Sequence, residues 1–379
     1  MPSSSVFDKV FEGHEPDYVV YENLYKHLHA NAELSWQQQE TAATVAQTLH
    51  AISPDLDIRT GIAGTALIAI LSNGTGATVL LRADIDGLPG EEISGVSYAC
   101  KRKMVDDRGD LQPVMHACGH DMHVTAMLAA ADVLVSARQH GSGTEKGAGA
   151  KAIVEAGLFK TIGCPVPDVV LGQHAHWEKV GSVAVRPGPI ITATDGLVIK
   201  VFGRGGHGSA PHRTVDPVVL AISREVPPGE LAVVTVGALN VGTAEDIISQ
   251  EAVLKVNTRS VDPVYRDIIL KTVKRIVHSE CAASASPREP EFTSTVSTST
   301  IFNDQEVTSR LSQTFRQHFG DRRYCFWFFG GYDGSLDGVP MNHSPFAPAV
   351  EPTLKTGTEA MVIGSLTFFP SIEASNGIS

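Results

Sequence analysis

Apolar runs that end in polar, ligand-type side chains constrain this chain of 379 residues most strongly. One run, 78–85, leads into the carboxylates Asp84 and Asp86, and another, 168–174, ends at His174. Functional sites of α/β proteins assemble where the strands of the sheet end. The two runs therefore predict an α/β fold with a site at one edge of its sheet. Taken alone, the two aspartates are equally typical of an ordinary solvated turn.

The segment Met115–His123 carries the most chemical information. Cysteine and histidine two residues apart suit a borderline-soft divalent metal ion. An apolar helix is predicted from Asp121 to Arg138, and Asp121 is suited to cap its N-terminus. The alternative is a helix cap with incidental histidines. Four ligand-type side chains within eight residues favour the metal site: His116, Cys118, His120 and His123.

A glycine-rich run at 203–208 formally satisfies the dinucleotide-binding pattern G-x-G-x-x-G. That pattern also requires a helix that opens at its last glycine. Pro211 and the polar residues up to Pro217 argue against such a helix, so we reject a nucleotide-dependent oxidoreductase. A loop that presents His207 to a ligand is the better interpretation. A further histidine, His343, lies in a loop before proline, which alone is a weak signal.

Periodicity predicts the outer elements. Strands at 65–72 and 78–85 are expected to form a hairpin around Asn73-Gly74. An aromatic strand is expected at 324–329. Helices are predicted at Tyr18–Ala30, Gln37–Ile52, Ala148–Ala156, Asp304–Phe319 and Gly357–Phe369.

The middle of the chain changes character. It is β-rich at 196–202, 231–239 and 252–260, and an amphipathic helix follows at Asp262–Cys281. The Ser/Thr/Pro-rich stretch 282–300 is typical of a linker. We therefore expect an inserted α+β domain at 193–288, between two parts of a catalytic domain at 1–192 and 289–379.

Charge and cysteine usage exclude several classes of protein. Net charge is −12, from 42 acidic against 30 basic residues, which argues against a nucleic-acid partner. The chain lacks an apolar run long enough for a membrane span, and its first residues lack targeting features. Five scattered cysteines are typical of reduced thiols, so we expect a cytoplasmic location.

The segments with ligand-type side chains, at 82–89, 115–123, 172–174, 205–212 and 342–346, follow one another in the same order as in a known family. They resemble the aminoacylase/carboxypeptidase-like metal-dependent amidohydrolases, in the branch of hippurate hydrolases and auxin-conjugate hydrolases. The resemblance covers about 21–369. It implies an α/β metallopeptidase-type mixed sheet sandwiched by helices, with a smaller inserted lid domain that forms a homodimer. The implied reaction is hydrolysis of an N-acyl amino acid by a metal-activated water.

The resemblance also implies residue roles. Two divalent metal ions are expected, zinc first, with manganese or cobalt as alternatives. Asp84 and Asp86 are expected to support the ligands, and Asp86 also to take part in catalysis. His207 is expected to stabilise the oxyanion, and Arg259 to bind substrate. The implied metal ligands are Cys118, His120, His174, His343 and one glutamate of a Glu-Glu pair.

The Glu-Glu pair is where this chain departs from the family pattern. The glycine-rich run that follows the pair matches from Lys146, which puts Glu145 at the ligand position and Thr144 at the general-base position. A shift by one residue makes Glu145 the base and leaves a ligand position vacant. Either alignment loses one carboxylate, and a central strand before it is also expected to be missing. The alternative function is therefore a catalytically inactive relative that keeps a partial metal site and the lid.

Overall fold

A computed structural model of the chain describes residues 10–74, 76–107, 109–138, 143–147, 157–204, 206–207, 231–242, 247–319, 327–332 and 347–369. Only the backbone is described at 143–147, 177 and 206–207. The chain divides into two compact units, Met1–Pro187 with Asp304–Ser379 and Gly188–Asn303. The smaller unit is therefore wider at both ends than the predicted insertion at 193–288.

The larger unit is built on a seven-stranded sheet in the order β1-β2-β7-β3-β8-β18-β9. Strands β7, β3, β8 and β18 run parallel, and the outer strands are antiparallel to their neighbours. The strands are β1 (Asp57–Ile62), β2 (Ala66–Asn73), β3 (Thr78–Arg82), β7 (Gly143–Gly147), β8 (Val169–Lys179), β9 (Val183–Val185) and β18 (Trp327–Tyr332). Three short strands, β4 (Leu88–Pro89), β5 (Lys103–Val105) and β6 (Leu111–Met115), form a separate sheet.

Five helices with described bounds pack with this sheet around the core. They are α1 (Tyr18–Ala30), α2 (Gln39–Ile52), α3 (His120–Ser136), α5 (Gln305–Phe319) and α6 (Val350–Leu366). Helix α3 is buried around almost its whole circumference, as its apolar composition predicts. The predicted helices are confirmed to within a few residues, except that α6 begins earlier and that the helix predicted at 148–156 lies outside the described residues.

The hairpin predicted around Asn73-Gly74 is wrong. Strands β2 and β3 are not neighbours, because β7 lies between them, antiparallel to β2 and parallel to β3. Five residues, Gly143–Gly147, thus occupy the sheet position of the central strand that we expected to be missing. A turn signal marks a change of direction, and it does not decide which strands pair.

The smaller unit is an antiparallel sheet in the order β13-β15-β11-β16, with one long helix packed on it. Its elements are β10 (Gly188–Ile191), β11 (Ala193–Phe202), β12 (Gly206–His207), β13 (Ala232–Val241), β14 (Ile247–Ile248), β15 (Glu251–Ser260), α4 (Pro263–Ala283), β16 (Glu291–Thr298) and β17 (Ile301–Asn303). Helix α4 is capped by Asp262, whose carboxylate accepts from the Val264 amide at 2.7 Å.

The linker predicted at 282–300 is wrong over half its length. Strand β16 pairs antiparallel with β11 along Thr194–Lys200. Most of its residues are exposed, which explains its Ser/Thr-rich composition. Threonine is β-branched and suits an edge strand, so polarity here marks a solvent-facing strand. None of the described helices combines the length and the apolar composition of a membrane-spanning segment.

Candidate metal centre

Three elements of the larger unit bring ligand-type side chains together. Strand β3 ends at Arg82, just before Asp84, and pairs in parallel with β8, where Gly172 faces Arg82. His174 follows two residues later on β8. Helix α3 begins at His120, and its cap residue Gly119 has a φ of 72°. This left-handed conformation favours glycine, and it turns the chain from Cys118 into the helix.

Cys118, His120 and His174 form the candidate metal centre. Their ligand atoms lie within 4.8 Å of one another. The rings of His120 and His174 meet edge to face, with centroids 5.7 Å apart. One thiol and two imidazoles are ligands that zinc and similar borderline-soft divalent ions accept. The donor set therefore fits a divalent metal ion.

Asp86 determines the tautomer and the ring orientation of His120. The Nδ1–H of His120 donates to both the carboxylate and the backbone carbonyl of Asp86, at 2.9 Å each. Because both acceptors are oxygens, the hydrogen must be on Nδ1, and Nε2 is left to face an ion. Burial opposes a charge on His120, yet hydrogen bonds with Asp86 and Cys118 raise its pKa well above the ordinary value. A divalent ion bound at Nε2 of His120 would replace the proton that this raised pKa describes in the metal-free protein.

His174 is prepared as a neutral ligand. Its Nδ1–H donates to the carbonyl of Ala175 at 2.7 Å, which leaves Nε2 free. Burial, together with the positive charge on His120, lowers the pKa of His174 to about 4. A neutral imidazole is the form that binds a metal.

A second group, Asp84 with His120 and His123, satisfies the same distance limit but is a weaker candidate. The Nε2 of His123 already accepts the backbone N–H of Ala175 at 2.7 Å. Burial holds the pKa of His123 well below its ordinary value, so the ring is neutral and its hydrogen is on Nδ1. It therefore has no spare lone pair. Asp84 in turn forms a close ion pair with Arg82.

His116 is buried and lies outside both ligand groups. Among the described residues, neither of its ring nitrogens has a hydrogen-bond partner. Burial lowers the pKa of His116, so the ring is neutral. Of the four ligand-type side chains in Met115–His123, Cys118 and His120 are thus the two that carry the centre.

A buried charged triad, which sequence patterns do not reveal, supports the start of α3. His29 of α1 donates from Nδ1 to Asp121 at 2.6 Å and from Nε2 to Glu92 at 2.9 Å. Burial alone would lower the pKa of His29, but the two carboxylates outweigh it and raise that pKa to about 10. The cap residue of α3 is Gly119 and no side chain caps this helix, so the capping role predicted for Asp121 is wrong; Asp121 lies in the first turn and anchors the ligand-bearing segment to another helix.

The backbone register separates Glu145 from this centre. Glu145 pairs with Leu71 of β2 and lies level with Val79 of β3, five residues before Asp84. At about 3.3 Å per residue, five strand residues span about 16 Å. The backbone of Glu145 is therefore five residues short of the strand end at which Asp84 lies. Strand β7 itself ends at Gly147, level with Leu81.

The remaining predicted residues are placed as follows. His343 lies outside the described residues. In the smaller unit, His207 is on β12 and its backbone pairs with Ile247. Arg259 is an exposed residue of β15 whose Nε donates to Asn257 at 3.3 Å.

Comparison with known proteins gives a matching family model, similar relatives and a solved structure of similar fold. A family model described as peptidase family M20/M25/M40 matches residues 80–362. Thermostable carboxypeptidase 2 of Saccharolobus solfataricus is 33% identical over 385 aligned residues, which cover 91% of this chain and 94% of the relative. Hippurate hydrolase of Campylobacter jejuni is 31% identical, with 81% of each chain covered. A Bacillus subtilis structure described as a dinuclear metal binding peptidase from the M20 family has a TM-score of 0.66 at 20% identity, with 93% of this chain and 98% of that chain covered.

Proposed function

Because this chain belongs to peptidase family M20/M25/M40, we propose that it is a metal-dependent hydrolase of the amide bond in small N-acyl amino acids. The observation that carries the proposal is the convergence of the ligand atoms of Cys118, His120 and His174, with Nδ1 of each imidazole bonded to a protein oxygen so that Nε2 is the atom available to an ion. One relative is named for hippurate, which is itself an N-acyl amino acid.

We propose two divalent metal ions, with zinc as the preferred ion because the donor set combines a thiol with imidazoles. The Bacillus subtilis structure, described as dinuclear, supports the number two. His343 is the proposed further ligand. Bound divalent ions supply Lewis acidity, which polarises an acyl carbonyl and makes water nucleophilic near neutral pH.

The chain's own residues orient the site. Asp86 keeps a proton on Nδ1 of His120, and the carbonyl of Ala175 keeps one on Nδ1 of His174. Both imidazoles are thereby fixed in the tautomer whose Nε2 can bind an ion. From the smaller unit, we propose that His207 stabilises the oxyanion and that Arg259 binds the substrate carboxylate.

The second candidate function is a metal-binding relative with little or no turnover. The register of β7 favours it, because it holds Glu145 level with Val79 and leaves the described centre without the expected glutamate. A positioned general base contributes about 10²–10⁴-fold to rate. Metal binding and turnover are therefore separate questions for this chain.

The test measures both properties in one preparation. Metal content and affinity are measured with zinc, manganese and cobalt, and glycine release from hippurate is followed with each ion. We expect tight metal binding that His174→Ala weakens strongly, together with slow turnover that a chelator abolishes. Metal binding without any turnover would support the second candidate. Wild-type protein that binds none of the three ions would overturn both.

We also propose a homodimer formed through the smaller unit and a cytoplasmic location. The edge strand β13 carries exposed apolar side chains at Val233, Val236 and Leu239, which a second copy would cover. Among the described residues, no disulfide involves the four cysteines, which supports a reducing compartment. Sedimentation equilibrium at micromolar concentration tests the dimer, and a monomer mass would contradict it.

A further inference from the structure

One side chain outside the predicted site touches the carboxylate that orients His120. The hydroxyl of Ser35 donates to Oδ2 of Asp86 at 2.6 Å. The other oxygen, Oδ1, accepts the Nδ1–H of His120 at 2.9 Å. Each carboxylate oxygen of Asp86 therefore has its own donor, and rotation of the carboxylate would break both contacts.

The turn that carries Ser35 is fastened to the same strand end as Asp86. Leu34 forms a parallel bridge with Gly87, and the Gly87 amide donates to the Glu33 carbonyl at 2.6 Å. The carboxylate of Glu33 is buried and accepts from the backbone amide of Thr41 at 2.7 Å. The backbone that leads into Ser35 is thus held beside Gly87, the residue after Asp86.

The conformation of the next residue shows that this turn has a specific shape. Trp36 has a φ of 68°, a left-handed conformation that is energetically costly for a bulky residue. Its side chain is 68% exposed, so packing of the ring does not compensate for that cost. The turn is closed by the Gln37 amide, which donates to the Leu34 carbonyl at 3.0 Å. Strained backbone of this kind is concentrated at functional sites.

We propose that Ser35 is a positioning residue for the metal centre. Its hydroxyl holds Asp86 in the orientation that keeps the proton of His120 on Nδ1 and directs Nε2 towards an ion. The inference rests on the proposed function, since it assigns the purpose of the contact to metal binding. Ser35 itself touches neither substrate nor ion; it acts through Asp86.

Removal of the hydroxyl should weaken metal binding without unfolding the protein. Loss of a group that directly orients a ligand typically costs 10–100-fold in affinity, and that is the effect expected for Asp86→Asn. Ser35 is one contact further away, so we expect Ser35→Ala to weaken zinc binding by about 3–10-fold, below that range. Ser35→Thr keeps the hydroxyl and should restore wild-type affinity.

The experiment is a competition between the protein and a chromophoric chelator for zinc, repeated with cobalt so that the absorption spectrum reports the ligand geometry. Ser309→Ala is the matched control, because its exposed hydroxyl donates within α5, to the Gln305 carbonyl. We expect a weaker affinity and an altered cobalt spectrum for Ser35→Ala, and neither change for Ser35→Thr or Ser309→Ala.

The outcomes separate the two claims. If wild-type protein binds zinc, Asp86→Asn weakens binding and Ser35→Ala equals wild type, then the positioning role is wrong and the proposed function stands. If Ser35→Ala and Ser35→Thr are weakened equally, the hydroxyl is not what matters, and the positioning role is again wrong. Wild-type protein without affinity for either ion would overturn the proposed function, and the inference with it.

Discussion

The two neighbours of β3 serve the candidate site very differently. On one side, β8 runs for eleven residues and continues past the end of β3 to bring His174 to the metal centre. On the other side, β7 has five residues and stops at Gly147, level with Leu81. The parallel pairing is the same on both sides, so strand length decides which neighbour delivers a side chain to the edge of the sheet.

The largest expected effect comes from lengthening the β7 side. We predict that a version with a full strand and a Glu-Glu pair restored before Lys146 hydrolyses hippurate about 10²–10⁴-fold faster than the present chain, because a positioned general base contributes that factor. Initial rates with saturating zinc measure the effect. The control is the same insertion with Gln-Gln, which restores the strand without the carboxylates. Equal turnover by all three proteins would show that β7 is already sufficient.

The start of α3, which carries His120, is supported by the buried triad of His29, Asp121 and Glu92, and breaking that support should cost stability. We predict that His29→Gln lowers the free energy of unfolding by about 3–5 kcal/mol, because it leaves Asp121 and Glu92 buried without their cation. Denaturant unfolding of the metal-free protein measures this. His278→Gln is the matched control, since the His278–Glu289 pair is exposed and should contribute less than about 1 kcal/mol. Similar losses in the two variants would argue against a special role for the triad.

The same triad predicts a pH dependence. The pKa of His29 is raised from 6.5 to about 10 in the folded protein, so its contribution to stability is complete below pH 6.5 and is lost as the pH rises towards 10. Within that window, the stability difference between wild type and His29→Gln should shrink by at most about 1.4 kcal/mol per pH unit. Unfolding curves at pH 6.5, 8 and 9.5 test it. A difference that does not change with pH would show that His29 is neutral.

The smallest effect concerns the turn that carries Ser35. Asparagine tolerates a positive φ better than other residues with a Cβ atom, whereas a β-branched residue does not. We therefore predict that Trp36→Asn changes thermal stability little or raises it slightly, and that Trp36→Val lowers stability by about 1–2 kcal/mol relative to Trp36→Asn. Thermal unfolding curves of Trp36→Asn, Trp36→Val and wild type, recorded in parallel, measure these differences in stability. The reverse order would mean that the exposed ring, and not the backbone, stabilises the turn.

The sequence pattern predicts most of the elements that depend on contacts between residues close together in the chain. Helix periodicity predicts α1, α2, α3 and α4, and the spacing of Cys118 and His120 predicts that both belong to one metal site. Strand pairing was harder, because the position of β7 between β2 and β3 depends on contacts between distant parts of the chain.

The supporting residues of the site were missed for the same reason. Ser35 is 51 residues from Asp86, and His29 is 92 residues from Asp121. Neither contact has a periodic signature, because a single polar residue on a helix face or in a turn resembles many that have no such partner. Strand β16 was missed because its Ser/Thr-rich sequence is typical of a linker and suits an exposed edge strand equally well.

The position of β7 also determines how the sheet comes apart. Among the described strands, β7 alone connects β1 and β2 to β3, β8, β18 and β9. If its few hydrogen bonds open, the sheet separates into a two-strand ribbon and a four-strand remainder, each of which keeps its own internal pairing. Amide hydrogen exchange in β2 should then proceed through this local opening, at a lower free energy than global unfolding. The same sheet would thus hold two cooperative units that one short strand joins.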